Sequence, residues 1–166
     1  MSTGTTTATS TTRFFALESP DGRTPMPLNV VGEETLVKVS AADSEGLMAF
    51  FHLVAPPMSG PPRHVHSRED ELFYVLEGEI VFELDGNRHT VRPGGTVYLR
   101  RGVVHAYQNF TTAPARLLIV TTPGAFSGFF VELSAATPPG KIPALDVLTE
   151  ISERYGLTVL GPPMTA

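Results

Sequence analysis

Residues 60–78 read GPPRHVHSREDELFYVLEG, and the rest of the chain takes its meaning from them. His64 and His66 stand two apart. On a strand that spacing turns both imidazoles to one face, because side chains alternate. Glu71 comes five residues after His66 and opens the run LFYVL at 72–76, which is apolar on both parities. A strand with one wet face alternates apolar and polar residues. This one predicts cover on both sides, one from the protein interior and the other from a second layer or a second copy of the chain, hence a homodimer. Glu77-Gly78 then reads as a turn.

On either side of this stretch, short β-rich runs recur at 35–39, 47–54, 80–84, 88–91, 96–99, 105–109 and 116–120. Turn residues separate them, among them Asp85-Gly86-Asn87, Pro93-Gly94-Gly95 and Arg101-Gly102. Asp-Gly between two strand-like runs signals a tight hairpin, since Gly accepts the positive φ of primed turns. Many short strands at close spacing predict an all-β sandwich or barrel. The period changes near the C-terminus. Residues 125–134 and 144–155 read as helices. In the second, Leu145, Leu148, Ile151 and Tyr155 make one apolar stripe, with Gly156 as its C-cap. In the first, Phe126, Phe129 and Phe130 make an aromatic stripe that packs on the β domain. Residues 2–12, STGTTTATSTT, contain no large apolar side chain and predict a disordered tail. The expected organisation is a tail at 1–12, a β-barrel at 13–122 and a helical extension at 123–166.

Composition excludes several functional classes. With no Cys among 166 residues, disulfides, thiolate metal sites, iron–sulfur clusters and a cysteine nucleophile are all ruled out. Any metal must be held by His, Asp or Glu. The net charge is −5 with no basic block, which argues against nucleic acid and anionic membranes as partners. No apolar run reaches the roughly 18 residues of a membrane span, and the start lacks a signal-peptide layout. A cytoplasmic chain is expected. Gly and Pro, 15 of each, exceed the usual combined share of about 12% without reaching a disordered composition.

The chain's five His include a set with metal-ligand character: His64, His66 and His105, joined by Glu71. The local hairpin is expected to supply His64, His66 and Glu71, with His105 arriving from a distant strand. Imidazole suits Zn, Cu, Fe, Co and Ni, and a carboxylate extends the choice to Mn. Four protein ligands on an octahedral ion leave two positions for a substrate oxygen and a water or O₂. Glu69 shares the strand parity of Glu71 and is the rival carboxylate, whereas Asp70 points the other way and is expected to be solvated. Phe73 and Val75 share the parity of Glu71 and are expected to face inward. His52 is read as a hydrogen-bonded core histidine and His89 as exposed. Tyr98, Tyr107 and Gln108 lie beside the distal ligand and are candidates to orient substrate. Arg100 and Arg101 are read as surface cations able to pair with Glu69 and Asp70.

These residues carry a family resemblance. The stretch 60–78 resembles the first cupin motif: His-x-His, four residues, Glu, six residues, Gly. Residues 94–109, GGTVYLRRGVVHAYQN, resemble the second, and fifteen residues separate Gly78 from Gly94, as in compact single-domain cupins. The second motif departs from the family pattern at Gly95, where an acidic residue is usual, and at Arg100, where a proline is usual. The missing proline loosens a turn near His105 and removes no ligand. The flanks, including MPLNVVGEETLVKVS and RYGLTVLGPP, resemble bacterial cupins of the quercetin-dioxygenase-like group. The resemblance implies a cupin-type antiparallel β-barrel, or jelly roll, with two short C-terminal helices. It implies one divalent ion per subunit (Ni, Mn, Fe, Co, Cu or Zn) on His64, His66, Glu71 and His105, with Glu71 also serving as a catalytic base. The activity implied is a dioxygenase in which the ion holds a flavonol oxygen and O₂ cleaves the heterocycle. The alternatives are a non-catalytic binding cupin for a small molecule, or a metal-assisted isomerase or lyase.

Overall fold

The computed structural model describes residues 14–18, 21–138 and 141–166. The Thr-rich stretch expected to be disordered lies outside them. Among the described residues, eleven strands form two antiparallel sheets. They are β1 Leu28–Val30, β2 Glu33–Val39, β3 Ala49–Ala55, β4 His64–His66, β5 Asp70–Glu77, β6 Ile80–Leu84, β7 Asn87–Val91, β8 Thr96–Leu99, β9 His105–Gln108, β10 Ala115–Thr122 and β11 Leu157–Val159. The larger sheet has the order β1-β2-β3-β10-β5-β8, and the smaller β11-β4-β9-β6-β7. The two sheets enclose one core without joining into a closed barrel, so the architecture is an open jelly roll.

Alternation in the sequence builds this sandwich. Along β3, AFFHLVA, every second residue is buried, which sends Phe51 and Leu53 inward and Phe50, His52 and Val54 outward. His52 is therefore half-buried on the outer face of the large sheet, not a core histidine as expected. It shares a shallow surface groove with Phe15, Leu36 and Leu118. His89 is exposed on β7, as expected. The β6–β7 hairpin turns at Asp85 and Gly86, both at positive φ (46° and 83°), the conformation that the Asp-Gly pair foretells. Gly78, the motif glycine, has φ 81°, and a Cβ there would meet the Ala115 backbone at 2.9 Å. Both the left-handed turn and the close approach of β10 require glycine.

In β5, Phe73 and Val75 face the core, as expected, and Leu72, Tyr74 and Leu76 face outward. Tyr74 is 38% and Leu76 42% exposed in the single chain. A 3-10 turn at Gly124–Phe126 leads into α1, Ser127–Ala136, and α2 covers Leu145–Arg154. Phe126, Phe129, Phe130, Leu133, Leu148 and Ile151 all belong to the core cluster. The expected stripe on α2 loses its first member, since Leu145, the first residue of the helix, is 69% exposed whereas Leu148 and Ile151 are buried. Gly156, at φ 75°, ends the helix as expected. The chain then adds β11 to the small sheet, pairing Leu157 with His66 and Val159 with His64.

Candidate metal centre

The short strand β4 sets the site. His64 and His66 point inward and Val65 outward, the alternation expected of two residues two apart. On one side β4 pairs with β11, and on the other with β9, where His64 faces His105 directly across the ladder. That register brings the two rings to a centroid separation of 4.3 Å. Glu71 comes from the opposite sheet. On β5 it lies between Thr121 of β10 and Leu99 of β8. The expected local hairpin does not exist. β4 and β5 are consecutive in sequence but belong to different sheets, because residues 67–69 cross from one to the other. The small sheet thus contributes three imidazoles and the large sheet the carboxylate, across the interior.

The four residues His64, His66, Glu71 and His105 are all buried, and their ligand atoms lie within 4.8 Å of one another. Glu71 Oε2 is 3.1 Å from His105 Nε2 and 3.7 Å from His66 Nε2. Metal–ligand bonds of about 2.0–2.2 Å place donors roughly 3–4 Å apart around one ion, so only a small inward closure is needed. The tautomers suit ligation. His64 Nδ1 lies 2.7 Å from Pro62 O and His105 Nδ1 3.0 Å from Val103 O. A carbonyl only accepts, so each Nδ1 donates, which leaves each Nε2 to supply a lone pair to an ion once it is deprotonated. Both ring nitrogens of His66 are buried without a hydrogen-bond partner. A buried polar nitrogen of this kind is costly unless something satisfies it, as a cation would at Nε2.

The electrostatics agree with this geometry. Burial, followed by the neighbouring imidazoles, pushes the pKa of His64 down to about 3, which keeps the ring neutral. Burial alone would raise the pKa of Glu71. The His105 hydrogen bond and the surrounding imidazoles outweigh it and hold the carboxyl below its usual range, hence ionised. Burial lowers the pKa of His105, but its bond to Glu71 and that group's charge raise it on balance. Neutral imidazole and ionised carboxylate are the forms that bind a divalent ion.

The other candidates divide between the site and the surface. Glu69, 3% exposed, lies outside the four-residue cluster. Its Oε2 stands 3.5 Å from His66 Nδ1, on the far side of the ring from Glu71. Asp70 is on the outer face, where Arg101 binds it through both its backbone N–H and its guanidinium at 2.9 Å. Tyr98 also reaches Asp70, at 3.2 Å, and is far from the interior. Arg101 thus finds Asp70 and not Glu69. Gln108 is buried and donates to Met58 O instead of facing the cavity. The turn lacking its usual proline closes nevertheless, because Gly102 N–H donates to His66 O at 2.8 Å.

A small cavity adjoins the cluster, with His64, His66 and Glu71 in its wall. Phe126, Phe129 and Phe130 also line it, so the aromatic stripe does more than pack. The Phe126 ring sits 4.5 Å from that of His66. Two further polar residues, Tyr107 and Glu33, line the same cavity. Glu33 is absent from the sequence-derived set. Its signal was parity with Val37, masked because Leu36 makes both parities of β2 apolar.

Comparison with known proteins gives the same picture. The Cupin domain family matches residues 51–121. Quercetin 2,3-dioxygenase of Bacillus subtilis is 26% identical over 121 residues, which cover 68% of this chain and 36% of that protein. The uncharacterized protein MJ1618 of Methanocaldococcus jannaschii is 29% identical over 70 residues, 42% of this chain and 56% of that one. The chain thus spans little more than half the length of one of these relatives and about a third of the other. Among solved structures, the polyketide cyclase RemF from Streptomyces resistomycificus superposes with a TM-score of 0.55 at 22% identity, covering 66% of this chain and 79% of that chain. A predicted oxalate decarboxylase from Thermotoga maritima gives 0.55 at 24%, covering 59% and 92%. Sequence motifs, sheet order and the buried His-His-Glu-His cluster agree with that match: residues 51–121 match the Cupin domain family, and the cluster within them fits a metal site.

Proposed function

We propose that this protein is a metal-dependent oxidoreductase, a dioxygenase of the quercetinase type acting on a flavonol-like or other enolisable aromatic compound. The observation that carries the reading is the convergence of three imidazoles and one carboxylate within 4.8 Å beside an aromatic-lined cavity. His64, His66, Glu71 and His105 would hold one divalent ion: Ni, Mn, Fe, Co, Cu or Zn. When bound, such an ion supplies Lewis acidity that favours the enolate form of the substrate. The residues do the rest. Ionised Glu71 is placed to accept the proton of an enolic hydroxyl. Phe126, Phe129 and Phe130 flank an aromatic ring and exclude water that would divert a reactive intermediate. The 26%-identical quercetin 2,3-dioxygenase supports the reaction class. The outward apolar residues Leu72, Tyr74 and Leu76 support pairing of two copies through the large sheet.

The test is oxygen uptake by metal-loaded protein given a panel of flavonols under air. Uptake with at least one flavonol, abolished in His105→Ala, is the expected result. No uptake with any flavonol would reject the dioxygenase. Turnover of an enolisable substrate under strict anaerobiosis would point to an isomerase or lyase instead.

A further inference from the structure

Five of the residues that line the cavity are polar, and they form two groups. One is the set His64, His66 and Glu71. The other is Glu33 with Tyr107. The remaining lining is apolar, with Leu53, Ile119 and the three phenylalanines in its walls. Tyr107 follows His105 by two residues on β9, and Phe73 follows Glu71 by two on β5. Each step of two is about 6.8 Å along a strand on the same face. The second polar group is therefore displaced by one strand repeat from the first. A molecule satisfied at both ends has two polar ends and an apolar middle.

The hydrogen bonds at Glu33 define what that end takes. Glu33 is 1% exposed, and Tyr107 donates its hydroxyl proton to Glu33 Oε2. Ser59 Oγ lies 2.8 Å from Glu33 Oε1 and 2.9 Å from Pro56 O. A hydroxyl has one proton, so Ser59 alone cannot make both contacts hydrogen bonds. A proton on Glu33 Oε1, donated to Ser59, completes the set. Burial acts in the same direction, raising the pKa of Glu33 to about 7 against the opposing bonds from Tyr107 and Ser59. In this arrangement the Glu33 proton goes to Ser59 and the Tyr107 proton to Glu33. Neither is spare. What stays free are lone pairs, on Glu33 Oε2 and on Tyr107 Oη. The pair accepts a hydrogen bond and offers no donor to an anion.

We infer that Glu33 and Tyr107 form a second substrate-binding subsite, which takes an uncharged phenolic hydroxyl of an aromatic ligand whose enolic oxygens face the His64–His66–Glu71–His105 cluster. The inference deepens the reading above and rests on it only for the cluster end of the ligand. A tether between β2 and the loop at 56–62 would account for the Ser59 contact. It would not require the carboxyl to line the cavity, where an apolar side chain of similar volume costs less.

Infrared difference spectra of the full-length protein, its Glu33→Gln variant and its Glu33→Leu variant test this, with phenol and its near-isostere toluene as probes. A protonated-carboxyl band present in the wild type and missing from Glu33→Gln is expected. Phenol should shift that band, and toluene should not. Glu33→Leu should weaken phenol binding about tenfold, the value of one hydrogen bond, while leaving toluene binding intact. Glu33→Gln retains both bonding partners and provides the comparison if the leucine variant does not fold. Absence of the band, a band unmoved by phenol, or an undiminished preference for phenol in Glu33→Leu would each overturn the subsite. A phenol-shifted band without oxygen uptake on any flavonol would reject the dioxygenase and leave the subsite standing. Uptake without the shift would do the reverse.

Discussion

Replacing Glu33 with glutamine should make the protein more stable at neutral pH and leave it nearly unchanged in mild acid. Burial raises the folded-state pKa of Glu33 from 4.5 to about 7. Between those values the native state keeps a proton that the unfolded chain releases. Stability from this group is therefore fully present below about pH 4.5, is lost as the pH rises towards 7, and is level beyond. One pKa unit is worth about 1.36 kcal/mol, so the whole shift amounts to about 3 kcal/mol. Glutamine imitates the protonated acid: its amide donates to Ser59 and its oxygen accepts from Tyr107. It does not ionise. Tyr107 stays uncharged throughout, because burial and then the Glu33 charge hold its pKa well above 10. The buried histidines are the same in both proteins, so what they contribute cancels in the difference. Urea unfolding of both proteins from about pH 4.5 to about pH 8, at equal metal loading, gives the measurement. The stability difference should open by about 3 kcal/mol in favour of glutamine. Two curves that run parallel across the whole range would refute the assignment of a neutral, buried Glu33.

Four further outcomes are expected. His64→Ala and His66→Ala should each lose most of the bound metal on elemental analysis while circular dichroism stays native, since the core of Phe51, Leu53, Ile80 and Phe82 forms without them. Glu69→Gln should weaken metal binding about 10- to 100-fold in a chelator competition, because the carboxylate 3.5 Å from His66 Nδ1 orients that ring. Gly78→Ala should lower stability by roughly 1–3 kcal/mol in urea unfolding, from its positive φ and its contact with the Ala115 backbone. Leu76→Lys should shift sedimentation towards a single-chain species if two copies pair through the outer face of β5, and leave it unchanged otherwise.

Much of this protein is legible in one dimension, for a local reason. The hairpin at Asp85-Gly86, the inward pair His64 and His66, and the stop at Gly156 each follow from backbone rules that act over a few residues. Three members of the His-His-Glu-His cluster were picked out by their short spacing and His105 by its residue type, and the four converge in the interior. What lay beyond reach depended on which strand pairs with which. Sequence adjacency suggested that β4 and β5 form one hairpin, whereas hydrogen bonding assigns them to opposite sheets. His52 and Phe51 are neighbours in one apolar run, and only the face that the large sheet turns to the core decides that Phe51 is inside and His52 outside. Glu33 shows the limit most sharply. Its residue type and parity are ordinary. Its burial, its bonds to Ser59 and Tyr107 and its place in the cavity wall join positions 26 and 74 residues apart. Residue chemistry and short-range periodicity pointed to a β-rich domain and four candidate ligands, and the motif resemblance pointed to a cupin. Contacts between distant segments, which no local pattern encodes, settled the shape of the cavity and the second polar group within it.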